Sequence, residues 1–509
     1  NSTLANNGNI TIKQGKGNLE IKDSDIIYNG TSTGYCAIGF GSTGELKISG
    51  KSNVTSTGEK SIFGTSAGTI TLGEKIAEGK NEEPQTMPII KGAKYGIYQN
   101  NTNGKLYFYD GTVMGSNSYQ AIYGKITDTE VGYDVIIKEN TEEKTLTATL
   151  ERLPVAQIGE NQYYSLYDAI QAVEGTEETT ITLLRDFNIT TTGQSAQIEE
   201  GKNIVIDLNG NSITSTLENT IVNNGNLKIT DSNTEKQGAI TLDLTGSSTY
   251  VSGIVNETTG KIDIDNNITI IGKGIYSNSI NNKGEITTNN ISLNGQGSYS
   301  SSYGLRLIFN TGILNLNNSK LLHIYTQRTY GIYNETGTVN INNIITGTGE
   351  NIYTYEGKVN ITGTVTREGG GVLVYLDQKP GTSEGTNLNI TNATIIDTYS
   401  GGTSYLLGGK NGDIKINDSN ITVKNNVIYT ESWNAIGIDI TIENSTLTTS
   451  GNTTINHSKG DLEIKDSDII YNGTSTTYGA IQFEATGELK ISGKSNVTST
   501  GEKSIFGTS

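Results

Sequence analysis

Side chains able to do chemistry are sparse in this chain. Its two histidines, His323 and His457, lie more than a hundred residues apart, and its five arginines are Arg152, Arg185, Arg306, Arg328 and Arg367. Arg306 in GLRLIFN and Arg367 in TREGGG stand alone and read as solvated or corner residues. The lone cysteine, Cys36, excludes a disulfide framework and a Cys-based zinc site, and leaves the redox compartment open. Carboxylates need a separate weighing, because hydrolysis of a glycosidic bond takes only two of them, about 5–10 Å apart. Asp263 and Asp265 in KIDIDNN are two residues apart and so share a strand face, while Asp23/Asp25 and Asp466/Asp468 sit in IKDSD. The Asp-Ser corner returns in ITDS at Asp231 and INDS at Asp418, which reads as turn chemistry rather than one active site. The Gly-Gly-x-Gly-x-Asp nonapeptide of calcium-loaded rolls is missing, so no metal site is expected. The most aromatic and basic stretch is KLLHIYTQRTYGIYN, where His323, Tyr325, Arg328, Tyr330 and Tyr333 form a candidate glycan-contact patch. Further tyrosines gather at Tyr95, Tyr98, Tyr107, Tyr109, Tyr119 and Tyr123. No catalytic residue and no cofactor is expected.

The elements that must hold these residues are repetitive. Gly17–Ser66 recurs as Gly460–Ser509, an offset of 443 residues with six differences among the 50 aligned pairs. A shorter motif, a glycine followed by alternating aliphatics and then Asn, Asp or Ser, runs through GNLKITDS at Gly225, GKIDIDNN at Gly260, GILNLNNS at Gly312, GTVNINN at Gly337, GDIKINDS at Gly412 and GDLEIKDS at Gly460, with a period of about 26 residues. A second short apolar strand precedes many copies, as at Gly253–Asn256 and Gly331–Asn334, and a third follows some, as at Asn420–Val423 and Asp468–Tyr471. Three short strands per turn with Gly/Asn/Asp corners predict an all-β parallel β-helix, each strand pairing with its equivalent one coil away, about 4.8 Å along the axis. Leu227, Ile229, Val339 and Ile341 are expected to point inward, and Asn side chains to stack along the axis. One apolar side per strand accounts for a hydrophobic content of only 33%, and 63 glycines with 4 prolines exclude collagen-like and Pro-rich disordered chains.

The segment 127–180 breaks the rhythm. Val131–Pro154 reads as longer strands of a different kind, and Tyr164–Val173 as a short amphipathic helix with Ser165 as N-cap, placed to cover the open apolar end of a solenoid. The expected organisation is the C-terminal part of one β-helix unit over 1–126, a junction over 127–180, and the next unit over 181–509, interrupted in mid-unit. The run QIGENQYYSLYDAIQAVEGTEETTITLLRDFNIT…IEEGKNIVIDLNGNSIT…IVNNGNLKITDS, from Gln157 to Ser232, resembles the entrance to pectate-lyase-like right-handed parallel β-helix domains of large repetitive surface proteins of Gram-positive bacteria. The resemblance implies a right-handed coil and an extracellular, adhesin-like or fibrous protein. The Asn-Thr-Asp, Asp-Asp, Gly-His-Gly and Arg-Ile-Lys set of the galacturonan hydrolases is missing, as is an arginine base beside the clustered calcium-binding Asp of the lyases.

A net charge of −17 disfavours nucleic acid as a partner, and no apolar stretch reaches the 18–20 residues of a membrane span. No signal-peptide pattern stands at Asn1, so the chain reads as a mature or excised piece, and its many Asn-x-Ser/Thr triplets follow from composition. The expected role is that of a non-catalytic extracellular stalk or fibre segment of a tandem-repeat cell-surface protein, whose partners are neighbouring copies of the same repeat and host or matrix glycans. The alternative is a glycan-binding or glycan-cleaving β-helix of the tailspike or lyase kind. That alternative predicts carboxylates and aromatics clustered on one sheet face; a structural role predicts acidic and polar residues spread evenly.

Overall fold

The structure, a computed structural model, describes residues 2–76, 84–130, 133–189, 195–246, 250–275, 277–297, 304–323, 329–377, 387–399, 405–432, 435–484 and 487–507. It contains two compact units, Asn1–Leu153 and Pro154–Ser509, each a parallel β-solenoid with three strand-bearing faces. In the second unit one face is a ladder of thirteen parallel strands from Ala196–Ile198 to Lys503–Phe506, hence thirteen coils among the described residues. The first unit has two five-stranded faces and one of seven, two strands of which are non-solenoid.

Alternation of apolar and polar residues builds the interior. On the first face of the second unit, Leu227, Ile262, Ile286, Leu314, Val339, Val359, Leu388 and Ile414 succeed one another coil by coil in unbroken register. Beside them run Ile229, Ile264, Thr288, Leu316, Ile341, Ile361, Ile390 and Ile416, and every member of both columns is at most 2% exposed. Each such aliphatic side chain contributes about 1.5–3 kcal/mol by leaving water.

The corners are set by three side-chain types. Between the first and second faces most coils turn through a left-handed residue, among them Asn290 (φ 56°), Asn318 (47°), Asn343 (57°), Asn392 (51°), Asp418 (50°), Asn444 (48°) and Asp466 (49°). Asn and Asp tolerate this region because their short polar chains bond locally. The serine that follows links coils: Ser419, Ser445 and Ser467 accept through Oγ from the backbone N–H of Ala393, Ser419 and Ser445 at 3.1, 3.1 and 3.0 Å. Between the third and first faces a buried asparagine ladder runs Asn223–Asn256–Asn282–Asn310–Asn334, each Nδ2 donating to the next Oδ1 at 2.7–2.9 Å. The same amides donate to backbone carbonyls, Asn256 to Gly260 at 3.1 Å and Asn334 to Gly337 at 3.0 Å. This packing explains the glycine that opens the short motif. A Cβ on Gly284, Gly312 or Gly337 would lie 2.1–2.4 Å from the carbonyl oxygen of the corresponding glycine one coil earlier.

The segment 127–180 is divided between the units, and its first residues still belong to the solenoid, where Ile126–Thr129 pairs in parallel with Lys105–Phe108. Tyr133–Asn140 and Thr145–Arg152 form an antiparallel hairpin laid against Thr112–Ser116 in the first unit. In the second, Ala156–Ile158 and Asn161–Tyr163 form a hairpin against Thr179–Leu183, and the helix Leu166–Gln171 buries Leu166, Ala169 and Ile170. Ser165 caps it, accepting from the Asp168 N–H at 2.9 Å.

The two sequence copies take up the same structure. Asp25–Tyr28, Asn53–Ser56 and Lys60–Gly64 correspond to Asp468–Tyr471, Asn496–Ser499 and Lys503–Phe506, with Asp25 opposite Asn53 as Asp468 is opposite Asn496. Their corner bonds repeat as well: Lys51 N–H to Asp23 Oδ1 at 2.9 Å, and Lys494 N–H to Asp466 Oδ1 at 2.8 Å.

Candidate functional site

A ladder of aromatic side chains bordered by polar groups stands on the outer side of the third face of the second unit. Alternation sends Ile308, Ile332, Ile352 and Val374 into the core and their neighbours Phe309, Tyr333, Tyr353 and Tyr375 outward, one per coil. Successive rings lie 5.8, 5.1 and 5.6 Å apart with interplanar angles of 16°, 21° and 9°. Tyr405 and Tyr429 stack further along at 5.0 Å. At the other end the Arg306 guanidinium sits 4.4, 5.2 and 4.0 Å from the ring centres of Tyr250, Phe309 and Tyr333, a cation–π cluster.

Carboxylates border the same ladder. The Tyr375 hydroxyl donates to Glu431 at 2.8 Å and the Tyr353 hydroxyl donates to Asp377. Burial, with the charges of Asp377 and Glu431 adding to it, pushes the Glu350 carboxyl up to about 7. Burial likewise raises the Tyr333 phenol to about 12 and drives those of Tyr353 and Tyr375 upward. Near neutral pH this face therefore holds a carboxyl able to give or take a proton beside tyrosine hydroxyls. The rings in the middle of the column spend their faces on one another, leaving edges and hydroxyls, not flat platforms, for a ligand.

Of the expected glycan-contact residues, Tyr330 and Tyr333 belong to this ladder, their rings 5.5 Å apart. His323 ends the strand Ile313–His323, its backbone opposite Gly295 on a different face, and Tyr325 and Arg328 lie outside the described residues. The basic group beside Tyr333 is Arg306, one coil earlier. Arg367 closes the strand Lys358–Arg367 at a corner but is not solvated: its side chain is 0% exposed, ion-paired with the equally buried Asp397. Glu350, Asp377 and Glu431 escaped the sequence reading. A signal existed in the recurrence of tyrosine at one coil position through GIYN, NIYT, VLVYL and VIYT.

The other candidates resolve into structure. Asp23 and Asp466 are left-handed corner residues, and Asp25 and Asp468 each accept from the next coil's asparagine at 2.8 Å. Asp231 caps backbone, accepting from the Gly210 N–H at 2.7 Å and the Gly238 N–H at 2.5 Å. Asp265 pairs with Lys228 at 3.1 Å, while burial and the Glu285 charge raise the Asp263 carboxyl. His457 occupies the asparagine-ladder position several coils on, its Nε2 2.8 Å from the Gly460 carbonyl and its Nδ1 3.3 Å from Thr430 Oγ1. Burial lowers its pKa, which suits a neutral ring donating through Nε2 and accepting through Nδ1. The stacked pairs Tyr98–Tyr123, at 4.3 Å, and Tyr107–Tyr109, at 5.9 Å, show the same ring-on-ring use of tyrosine in the first unit.

Comparison with protein-family models finds no match. A search of curated proteins finds none either.

Proposed function

We propose that the chain is a non-catalytic, extracellular structural segment: a rigid stalk of a tandem-repeat, adhesin-like protein of the bacterial cell surface. The observation that carries this reading is the 443-residue repeat, whose two copies form the same strands, register and corner bonds. Stacking coils at about 4.8 Å makes the thirteen coils of the second unit a stiff element on the order of 60 Å long. The net charge of −17 keeps neighbouring rods apart in solution. Ladders of Asn and Ser give successive coils polar links over 223–334 and 393–467. Electron microscopy of native assemblies tests the proposal: filaments or stalks with an axial repeat set by one 443-residue unit are expected, and compact particles without such a repeat overturn it.

A second reading, glycan binding or cleavage, is favoured by one observation, the gathering of Glu350, Asp377, Glu431 and six tyrosines on a single face. A glycan array and a polysaccharide-cleavage screen separate the two. Binding or cleavage abolished by Glu350→Gln supports the second reading.

A further inference from the structure

One face of the first unit is built on Cys36–Phe40, Lys60–Gly64, Tyr95–Gln99 and Ile122–Tyr123. Alternation turns Ile62, Ile97 and Ile122 inward, and the residues that follow them, Phe63, Tyr98 and Tyr123, form an outward column. Tyr98 stacks on Tyr123 at 4.3 Å, but the remaining rings cross rather than align. Tyr95 meets Tyr98, Tyr119 and Tyr123 at 4.9, 5.5 and 6.2 Å with interplanar angles of 72°, 62° and 74°. Tyr119 and Tyr123 stay 43% and 42% exposed, whereas Tyr375 in the second unit's ladder is 9% exposed. Tyr123 lies on the last strand of its ladder, so among the described residues no further ring of the column covers the side turned away from Tyr98.

Lysines and a cleft adjoin these rings. Lys60 Nζ lies 4.8 Å from the Phe63 ring centre and 5.0 Å from that of Tyr98, and Lys94 Nζ lies 4.8 Å from that of Tyr119. One carboxylate, Glu59, serves both ammonium groups, at 3.6 and 2.5 Å. Just ahead of Glu59 and Lys94 in the chain, Thr57, Gly92 and Ala93 line a cleft of about 230 Å³, together with Thr55, Lys91 and the buried Tyr28. The cleft crosses three successive strands, Asp25–Tyr28, Asn53–Ser56 and Ile89–Lys91. Three ammonium groups thus gather around one carboxylate in a chain whose net charge is −17.

The two copies of the repeat diverge beside this platform. Of their six differences five fall between Gly34 and Ser42, on the strand Cys36–Phe40 and its flanks, while 19–33 and 43–66 match their counterparts throughout. Gly39 precedes Phe63 in the outward column; the other copy has Gln482 there and Glu484 in place of Gly41. Equal freedom on all three outer faces would scatter such differences instead of gathering them on one.

We propose that this face of the first unit binds an acidic glycan, with a sugar ring laid on the open Tyr119 and Tyr123 and the sugar carboxylates met by Lys60, Lys91 and Lys94. A pyranose presents an apolar C–H face to an aromatic ring and hydroxyls to a polar rim, where Glu59 accepts and the lysines donate. Three ammonium groups to one carboxylate select an acidic sugar over a neutral one. The crossed rings and the adjoining cleft extend over several coils at about 4.8 Å each, so the site takes a stretch of chain rather than a single sugar. It is separate from the Glu350 face of the second unit, and neither reading of the proposed function depends on it.

The test is titration calorimetry of the full chain with an oligosaccharide that alternates a hexuronic acid and an N-acetylhexosamine. Saturable binding that weakens with added salt is expected. The same oligosaccharide with its carboxyl groups reduced to alcohols should bind about tenfold more weakly, and Lys91→Gln and Lys94→Gln should each lose about tenfold. Tyr123→Ala should lose about three- to tenfold through the missing ring. Lys91 is exposed and the Lys94 side chain is 33% exposed, so neither lysine substitution puts the fold at stake, and melting curves check this. No binding, equal binding of the reduced sugar, or equal binding of a polyglutamate of the same charge overturns the proposal. Binding lost in Glu350→Gln but kept in Lys94→Gln moves the sugar to the second unit, which supports the second reading above and overturns this one.

Discussion

Asn282→Ala removes the centre of the buried asparagine ladder. The wild-type amide donates to Asn310 Oδ1 at 2.7 Å and to the Ile313 carbonyl at 2.8 Å, and its oxygen accepts from Asn256 at 2.9 Å. The residue is 0% exposed, so water cannot replace what is lost. Counting about 1 kcal/mol for each net bond and about 1–3 kcal/mol for the Asn310 oxygen left buried without a donor, the substitution costs about 4–6 kcal/mol. Asn256 retains its carbonyl acceptors, which limits the damage to the two neighbouring coils. The control is Asn340→Ala in the second, half-buried ladder, where the Asn340 amide donates to Asn315 at 2.8 Å and accepts from Asn360 at 2.8 Å on a water-facing strand side. There the cost is about 1 kcal/mol or less, because water takes over the bonds. A solenoid does not unfold as one unit, so the readout is amide exchange over 254–256, 280–282 and 308–310 alongside urea denaturation. Asn282→Asp, which supplies no donor and buries a charge, does worse than alanine. Equal costs for Asn282→Ala and Asn340→Ala, or less than about 1 kcal/mol for the former, refute the assignment of the ladder as an inter-coil clamp.

Because Glu350 holds its proton in the fold up to about 7 against 4.5 in the unfolded chain, its contribution to stability is complete below about 4.5 and is lost as pH rises through 7. The loss is at most about 3 kcal/mol, and Glu350→Gln should flatten this limb of a stability-against-pH curve; an unchanged limb counts against the assignment. Asp397→Ala strands the buried Arg367 charge and costs about 3–5 kcal/mol in denaturation, whereas replacing both partners by apolar residues of similar size recovers most of it. Gly312→Ala drives a methyl to 2.1 Å from the Gly284 carbonyl, so the coils must part at about 3 kcal/mol or more, seen as a lowered melting temperature and faster exchange over 284–288 and 313–317.

The fold was legible because a solenoid writes its geometry into a short period. Alternation placed Leu227, Ile229, Val339 and Ile341 in the core, Asp-Ser marked the corner, and Ser165 marked the helix start. The face of the site was less so, for a physical reason: in a stacked coil, residues close in sequence diverge onto different faces while residues one coil apart meet. His323 and Tyr333, ten apart, fall on different sheets; Arg306 and Tyr333 touch. Coils here range from about 20 residues upward, so the offset that brings Asp397 to Arg367 or Glu431 to Tyr375 cannot be read from a fixed period. Arg367 looked solvated because its counter-charge lies thirty residues away.

The glycine seated under its predecessor's carbonyl, and the asparagine amide that reaches one coil and no further, have a consequence for how such a gene can change. An insertion within a strand misaligns the ladders beyond it, whereas a corner absorbs extra residues, as the coils from Asn226 to Lys261 and from Thr338 to Lys358 do with 35 and 20 residues. An exchange between DNA encoding 17–66 and DNA encoding 460–509 joins strands of the same register at every point, so unequal recombination there alters the protein's length by 443 residues while leaving each coil intact. Coil number is the variable that such an exchange leaves free.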